Sequence, residues 1–156
     1  MIGLDVIGIR LVSPEDPPVL LLQEEGGTRC LPVWIGTQEA AAIASALEGE
    51  LPARPMTHDL LAALLVMIRP EGGEVLITGI EEGVYQARLQ LGDVSIDARP
   101  SDCVAAALRL EWPIRCPREL MDQVGVEVSE GAPDEVEAFK AFLDSVNADD
   151  FEDENP

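Results

Sequence analysis

Asp97-Ala98-Arg99-Pro100-Ser101-Asp102 joins an alternating, strand-like run to an Ala-rich stretch, and it reads as a strand end running into a helix start. Pro100 has no N–H to give a ladder, and it pushes the preceding Arg99 out of the helical region. Ser101 is the expected N-cap of the apolar run that follows. Asp97 and Arg99 are two apart, so in an extended segment both side chains leave on one face. Much of the pattern occurs again upstream, as Ala53-Arg54-Pro55-Met56-Thr57-His58-Asp59 ahead of a Leu-rich helix. Two Arg-Pro junctions in a short chain point to an internal duplication, or to one site built from both.

Around these junctions the elements fall into order. Residues 2–12 read as a strand ended by Ser13-Pro14-Glu15-Asp16-Pro17-Pro18. Val19 to Glu24 is a second strand, which Glu25-Gly26-Gly27 turns into a hairpin partner over 28–35. Gly36 breaks that strand and Thr37 caps a helix over 38–48, with Ala40, Ile43, Ala44 and Leu47 on one face. Thr57 caps the next helix, whose Leu60, Leu61, Leu64, Leu65 and Ile68 form a stripe expected in the core. Three more strands follow at 74–81, 84–91 and 93–98. Ser101 then opens a helix to about Leu110, and Pro117 starts a shorter one over 118–124. The expected fold class is α+β, a duplicated three-strand-plus-two-helix unit with mostly antiparallel sheets packed with helices. No Gly-rich phosphate loop follows a strand, which removes the parallel mononucleotide-binding sheet.

Residues 1–128 make one domain on this reading. Residues 129–156 are set apart as a C-terminal amphipathic helix (Pro133 to Val146) and an acidic disordered tail. The start of the chain lacks the basic region of a secretory signal, and the longest apolar run, Leu60 to Ile68, is nine residues, too short for a bilayer. Cys30, Cys103 and Cys116 show no C-x-x-C spacing, so reduced thiols in a cytoplasmic protein are expected.

The formal charge of −20 divides into −9 over residues 130–156 and −11 over 1–129. Phosphate-tracking proteins carry the opposite sign. With nine Arg and one Lys, any nucleic-acid contact has to be local, metal-assisted or weak. Aromatic residues make up 4% of the chain, which leaves few platforms for base stacking.

The Asp97–Asp102 segment, taken with Leu31-Pro32-Val33-Trp34-Ile35-Gly36 and Thr57-His58-Asp59-Leu60, resembles the bifunctional nuclease domain, a family described as having DNase and RNase activity. The resemblance covers roughly residues 1–128. Glu39 falls where the family pattern has a glutamate, whereas Cys103 stands where a small residue such as Ala is expected. The resemblance implies a metal-assisted nuclease that hydrolyses phosphodiester bonds of DNA and RNA with little sequence preference.

That chemistry needs an activated water, positive charge on the phosphoryl oxygens and help for the leaving oxygen. The catalytic candidates are His58, Asp59, Asp97 and Asp102. Asp59, Asp97 and Asp102 supply oxygen ligands suited to Mg²⁺ or Mn²⁺. Arg54 and Arg99 are the phosphate-binding candidates, with Glu39, Thr57 and Ser101 in support. His58, a residue type suited to proton transfer, is base or ligand.

The same residues admit a structural reading. Glu39, Asp59 and Asp102 each lie one or two residues after a hydroxyl cap, where an acid steadies the helix dipole by about 0.3–1 kcal/mol without any catalysis. Arg99 could equally pair with Asp97 or Asp59 to lock two repeats together. The second functional class is therefore a non-enzymatic, acidic regulatory or scaffolding module that binds a protein through a sheet edge, the C-terminal helix or the tail. Uncovered sheet edges also favour pairing with a second copy in a homo-oligomer. The discriminating observation is whether the two Arg-Pro corners meet around one open hollow.

Overall fold

A computed structural model describes residues 1–128. The expected C-terminal helix and tail lie outside the described residues. The chain runs β1 (Ile2–Arg10), β2 (Val19–Glu24), β3 (Arg29–Trp34), α1 (Thr37–Leu47), α2 (Thr57–Ile68), β4 (Glu74–Glu81), β5 (Val84–Leu91), β6 (Val94–Ala98), α3 (Pro100–Leu110), β7 (Ile114–Cys116), α4 (Arg118–Val124) and β8 (Val126–Glu127). The α+β class holds, but the strands form one eight-stranded sheet in the order β6-β5-β4-β7-β1-β2-β3-β8. Two antiparallel meanders, β1-β2-β3 and β4-β5-β6, are bridged by β7, which pairs antiparallel with β1 and parallel with β4. Beyond a bulge in the first strand of each meander, nothing here establishes a duplication. β7 and β8 have no counterpart after the first meander.

Periodicity explains which face each strand buries. On β5, Ala87, Leu89 and Leu91 are buried while Gln86 and Arg88 are exposed, the alternation of a sheet with one covered face. On β2 the four residues Val19 to Leu22 are all buried because both faces are covered there. Leu20 and Leu22 join the main core beneath the helices, and Val19 and Leu21 join a smaller cluster on the other face with Cys30, Ile7 and Trp34. Trp34 is thus only partly buried, and its Nε1 is a buried donor without a partner among the described residues.

α3 is the central helix. It lies on β4 and β5 and packs against both α1 and α2. Three neighbours leave it little solvent, and Cys103 to Ala107 are all buried. The small side chains of Ala105, Ala106 and Ala107 let those neighbours approach closely. Cys103 sits wholly in the core, and burial pushes its thiol up to about 12. That protonated state suits a small apolar group and not a nucleophile.

Two expectations require correction. The apolar stripe of α2 is only half used: Leu65 is buried, whereas Leu60, Leu64 and Ile68 are 55%, 48% and 68% exposed, since among the described residues α3 is the helix α2 packs against. The hydroxyl residues are not the caps. The N-cap positions fall at Gly36, Met56 and Arg99, and Thr37, Thr57 and Ser101 lie inside the helices. At α3 the reason is Pro100, which is favoured in the first helical turn and holds Arg99 extended at φ −69°, ψ 144°. Ser101 is buried at 4% exposure.

Candidate functional site

The N-termini of α1, α2 and α3 meet. Glu39 is the third residue of α1, His58 the second of α2 and Asp102 the third of α3. His58 Nε2 lies 2.8 Å from Asp102 Oδ1. Arg99 Nε donates to the other oxygen, Asp102 Oδ2, at 2.9 Å. Arg99 Nη2 reaches Glu39 Oε1 at 2.7 Å. Asp102 is the hub: one oxygen orients the imidazole and the other holds the guanidinium. The Arg99 side chain is 63% exposed, so its remaining N–H groups face solvent, while His58 and Glu39 are each 14% exposed.

Burial works against the Asp102 charge, but hydrogen bonds from His58 and Arg99 together outweigh it and hold the carboxyl below its ordinary value. Asp102 therefore stays ionised and accepts the Nε2 proton, which leaves Nδ1 as the ring nitrogen with a free lone pair in neutral His58. Glu39 reaches Arg99 over Gly36: a Cβ built on Gly36 would stand 2.6 Å from Glu39 Oε2. The glycine makes room for the carboxylate.

The other candidates sit elsewhere. Asp59 points to the far side of its turn, where Oδ2 accepts the Met56 N–H at 2.9 Å and Oδ1 accepts Arg109 Nε at 2.7 Å. The Arg109 bond, with the Met56 contact behind it, holds this carboxyl below its ordinary value. Asp97 is exposed and lies opposite Arg88 on β5, on the sheet face away from Ala87 and Leu89 and so away from the helix layer. Arg54 is exposed, four residues ahead of His58 in the segment entering α2. Thr57 and Ser101 are first-turn residues of α2 and α3 beside the cluster.

Asp59, Asp97 and Asp102 are not gathered around one point, and no group of three or more His, Cys, Asp or Glu among the described residues is arranged to hold a metal ion. The donors do not fit Mg²⁺ or Mn²⁺ in this arrangement. The space between Glu39 and Asp102 is bridged by a guanidinium, and both Asp59 oxygens are engaged. A cavity of about 360 Å³ lies at the other end of α3, lined by Asp5, Glu25, Glu111 and Trp112 among others and by none of the candidate residues. Across the eleven residues of α3 that end is roughly 16 Å from the cluster.

Sequence reasoning missed Arg109. Its signal was a single cation in the last turn of an otherwise Ala- and Leu-rich helix, on the side that packs against other helices.

Fold and cluster together define a class of α+β domain in which three helix N-termini bring a histidine, two acids and an arginine to one point at the surface. The chain belongs to the bifunctional nuclease domain family, whose model matches residues 19–129. It is also 44% identical to a protein from each of two Mycobacterium tuberculosis strains, CDC 1551 / Oshkosh and ATCC 25618 / H37Rv, over 94% of this chain and 95% of theirs. Both relatives are described as uncharacterized. No helix among the described residues is long and apolar enough to cross a membrane.

Proposed function

We propose that this chain is a nuclease that hydrolyses phosphodiester bonds of DNA and RNA, with His58 as its base. The observation that carries this reading is the His58–Asp102 bond of 2.8 Å, made at the joined N-termini of three helices with Arg99 on the same carboxylate. Helix N-termini present N–H groups and partial positive charge, the environment in which a phosphate is held. Arg99 adds a full charge there with donors left over, and Arg54 extends the contact to the next phosphate along the strand.

In this scheme Asp102 fixes the ring with Nε2 protonated, as an orienting carboxylate does for a catalytic histidine. Nδ1 takes a proton from water as its oxygen attacks phosphorus. Arg99 and the helix ends meet the charge that grows on the non-bridging oxygens. The P–O bond to the leaving sugar oxygen breaks, and that oxygen takes a proton from the imidazolium or from solvent. Glu39 keeps Arg99 in place. No step is routed through a metal: both oxygens of Asp59 and of Asp102 are engaged, and Asp97 stands apart from them on the other face of the sheet. Asp59 acts as a helix cap and Asp97 as a surface residue.

The test is digestion of a plasmid and an RNA by wild type, His58→Gln and Asp102→Asn, each with and without EDTA. Both variants are expected to lose about 10²–10⁴-fold in rate, and EDTA is expected to leave the wild-type rate within a factor of two. Cleavage unchanged by Asp102→Asn would reject the site. Cleavage abolished by EDTA would return the chemistry to a metal.

A second reading, a protein-binding module, is favoured by one observation: the apolar side chains left open on α2 and on the edge strand β6, where Val94 and Ile96 are 59% and 42% exposed. A second copy of the chain is the occupant we propose for that face.

A further inference from the structure

Resting on the reading of His58 as the base, we infer that Arg109 is a positioning residue that fixes the orientation of His58 from the far end of α3. Its guanidinium bonds all three helices meeting at the site. Nε donates to Asp59 Oδ1 on α2 at 2.7 Å, Nη1 to Ala105 O on α3 at 2.8 Å, and Nη2 to Ala42 O on α1 at 3.1 Å. The side chain is 14% exposed, so these bonds are sheltered from competing water.

Asp59 follows His58 directly, and its second oxygen caps the first turn of α2 through the Met56 N–H. α2 is therefore held to α3 at two places by adjacent residues, His58 to Asp102 and Asp59 to Arg109. Asp102 and Arg109 are two helical turns apart, roughly 10 Å along α3. One contact, even with the packing of Ala62 and Leu65, leaves α2 some freedom to roll about its own axis. Two contacts separated along α3 remove that freedom and set the direction in which the His58 ring points. The Ala42 bond prevents α1, which carries Glu39, from drifting with respect to the same frame.

His58 is the chain's one histidine, so its imidazole nitrogens give a single pair of ¹⁵N signals. Wild type is expected to show one dominant tautomer with Nε2 protonated. In Arg109→Met the two ¹⁵N shifts should converge as both tautomers are sampled, with the helical circular dichroism retained. Arg109→Lys, which keeps the Asp59 ion pair but not the three-way fork, should fall between. The rate of phosphodiester cleavage should drop at least tenfold in Arg109→Met with KM unchanged. If Arg109→Met does not fold, Asp59→Asn removes the same ion pair while keeping an oxygen for the Met56 N–H, and it should move the ¹⁵N shifts in the same direction. Unmoved ¹⁵N shifts in a folded variant overturn the positioning role whatever the activity. Converging shifts in a chain whose wild type cleaves no nucleic acid would keep the positioning role and reject the nuclease.

Discussion

Asp59 and Asp102 are neighbours of the same histidine with different work, and their partners decide which does what. Asp59 is fastened by Arg109 and by a backbone N–H, Asp102 by His58 and Arg99. Both carboxyls are held below the ordinary Asp value of 3.8 in the folded chain. The stability they contribute is thus present above that value and is lost as pH falls through their lower folded values. Urea unfolding followed from pH 6 down to pH 2 should show stability dropping below about pH 4. Asp59→Asn should shallow that limb by the uptake of up to one proton. An unchanged limb would mean that Arg109 does not select the ionised form.

At this scale the Arg-Pro motifs were readable and the carboxylate roles were not. Spacing two apart correctly aligned Asp97 and Arg99 for a continuous strand, but the chain turns at Arg99-Pro100. That turn takes Arg99 to the helix layer and leaves Asp97 on the opposite face. Arg109 meets Asp59 across fifty residues, a separation that no local pattern encodes.

Among the elements, α1 brings Glu39 to Arg99 only because residue 36 is a glycine. Its φ of −74° is one any residue adopts, so the glycine is required by space and not by backbone conformation. Gly36→Ala should therefore leave stability unchanged or raise it by about 0.4–1 kcal/mol through the unfolded chain, while driving the Glu39 carboxylate off Arg99. Thermal unfolding and KM measured on one preparation would check the pair of outcomes, with KM rising several-fold. A loss of stability with KM unchanged would contradict the assigned contact.

Element boundaries were legible wherever a pattern ran long: the apolar run of β2 and the segments of β4 and β5 lie where they were expected, and α2 and α3 within a residue or so. β7 and β8 were not legible. Three residues after Trp112-Pro113 and two after Gly125 are too few to show a period. They become strands because the slot between β1 and β4, and the outer edge of β3, offer them partners.

For the whole molecule, charge governs how nucleic acid is met. If Arg54 and Arg99 make the phosphate contacts in a chain of −20, the log–log slope of affinity against salt should be about −2, since each neutralised phosphate contributes about −0.9. Fluorescence anisotropy with a labelled duplex between 20 and 300 mM salt, on the order of the range over which such slopes are read, would measure it. A slope near −6 would point to a cationic surface other than these two residues.

The open apolar face has its own geometry. The Arg69 guanidinium after α2 lies within 3 Å of where a Cβ on Gly92 would stand, in the β5–β6 turn, and His58 at the start of α2 meets Asp102 just beyond β6. α2 thus ends beside the β5–β6 turn, and Leu60, Leu64, Met67 and Ile68 on α2 are exposed, as are Val94 and Ile96 on β6. Leu64→Glu with Met67→Glu should shift a dimer to monomer in sedimentation velocity without altering the circular dichroism. A wild type that sediments as a monomer would refute self-pairing on this face.

β7 carries a consequence for synthesis. The strand that fastens β1 to β4 consists of residues 114–116, so it leaves the ribosome after both meanders and the three site-forming helices. Until it emerges, the nascent chain holds two unjoined half-sheets, each with an open flank. The continuous sheet under α3 requires β7 to be in place. A stalled nascent chain ending before Ile114 should accordingly be cut rapidly by a protease that spares the released protein.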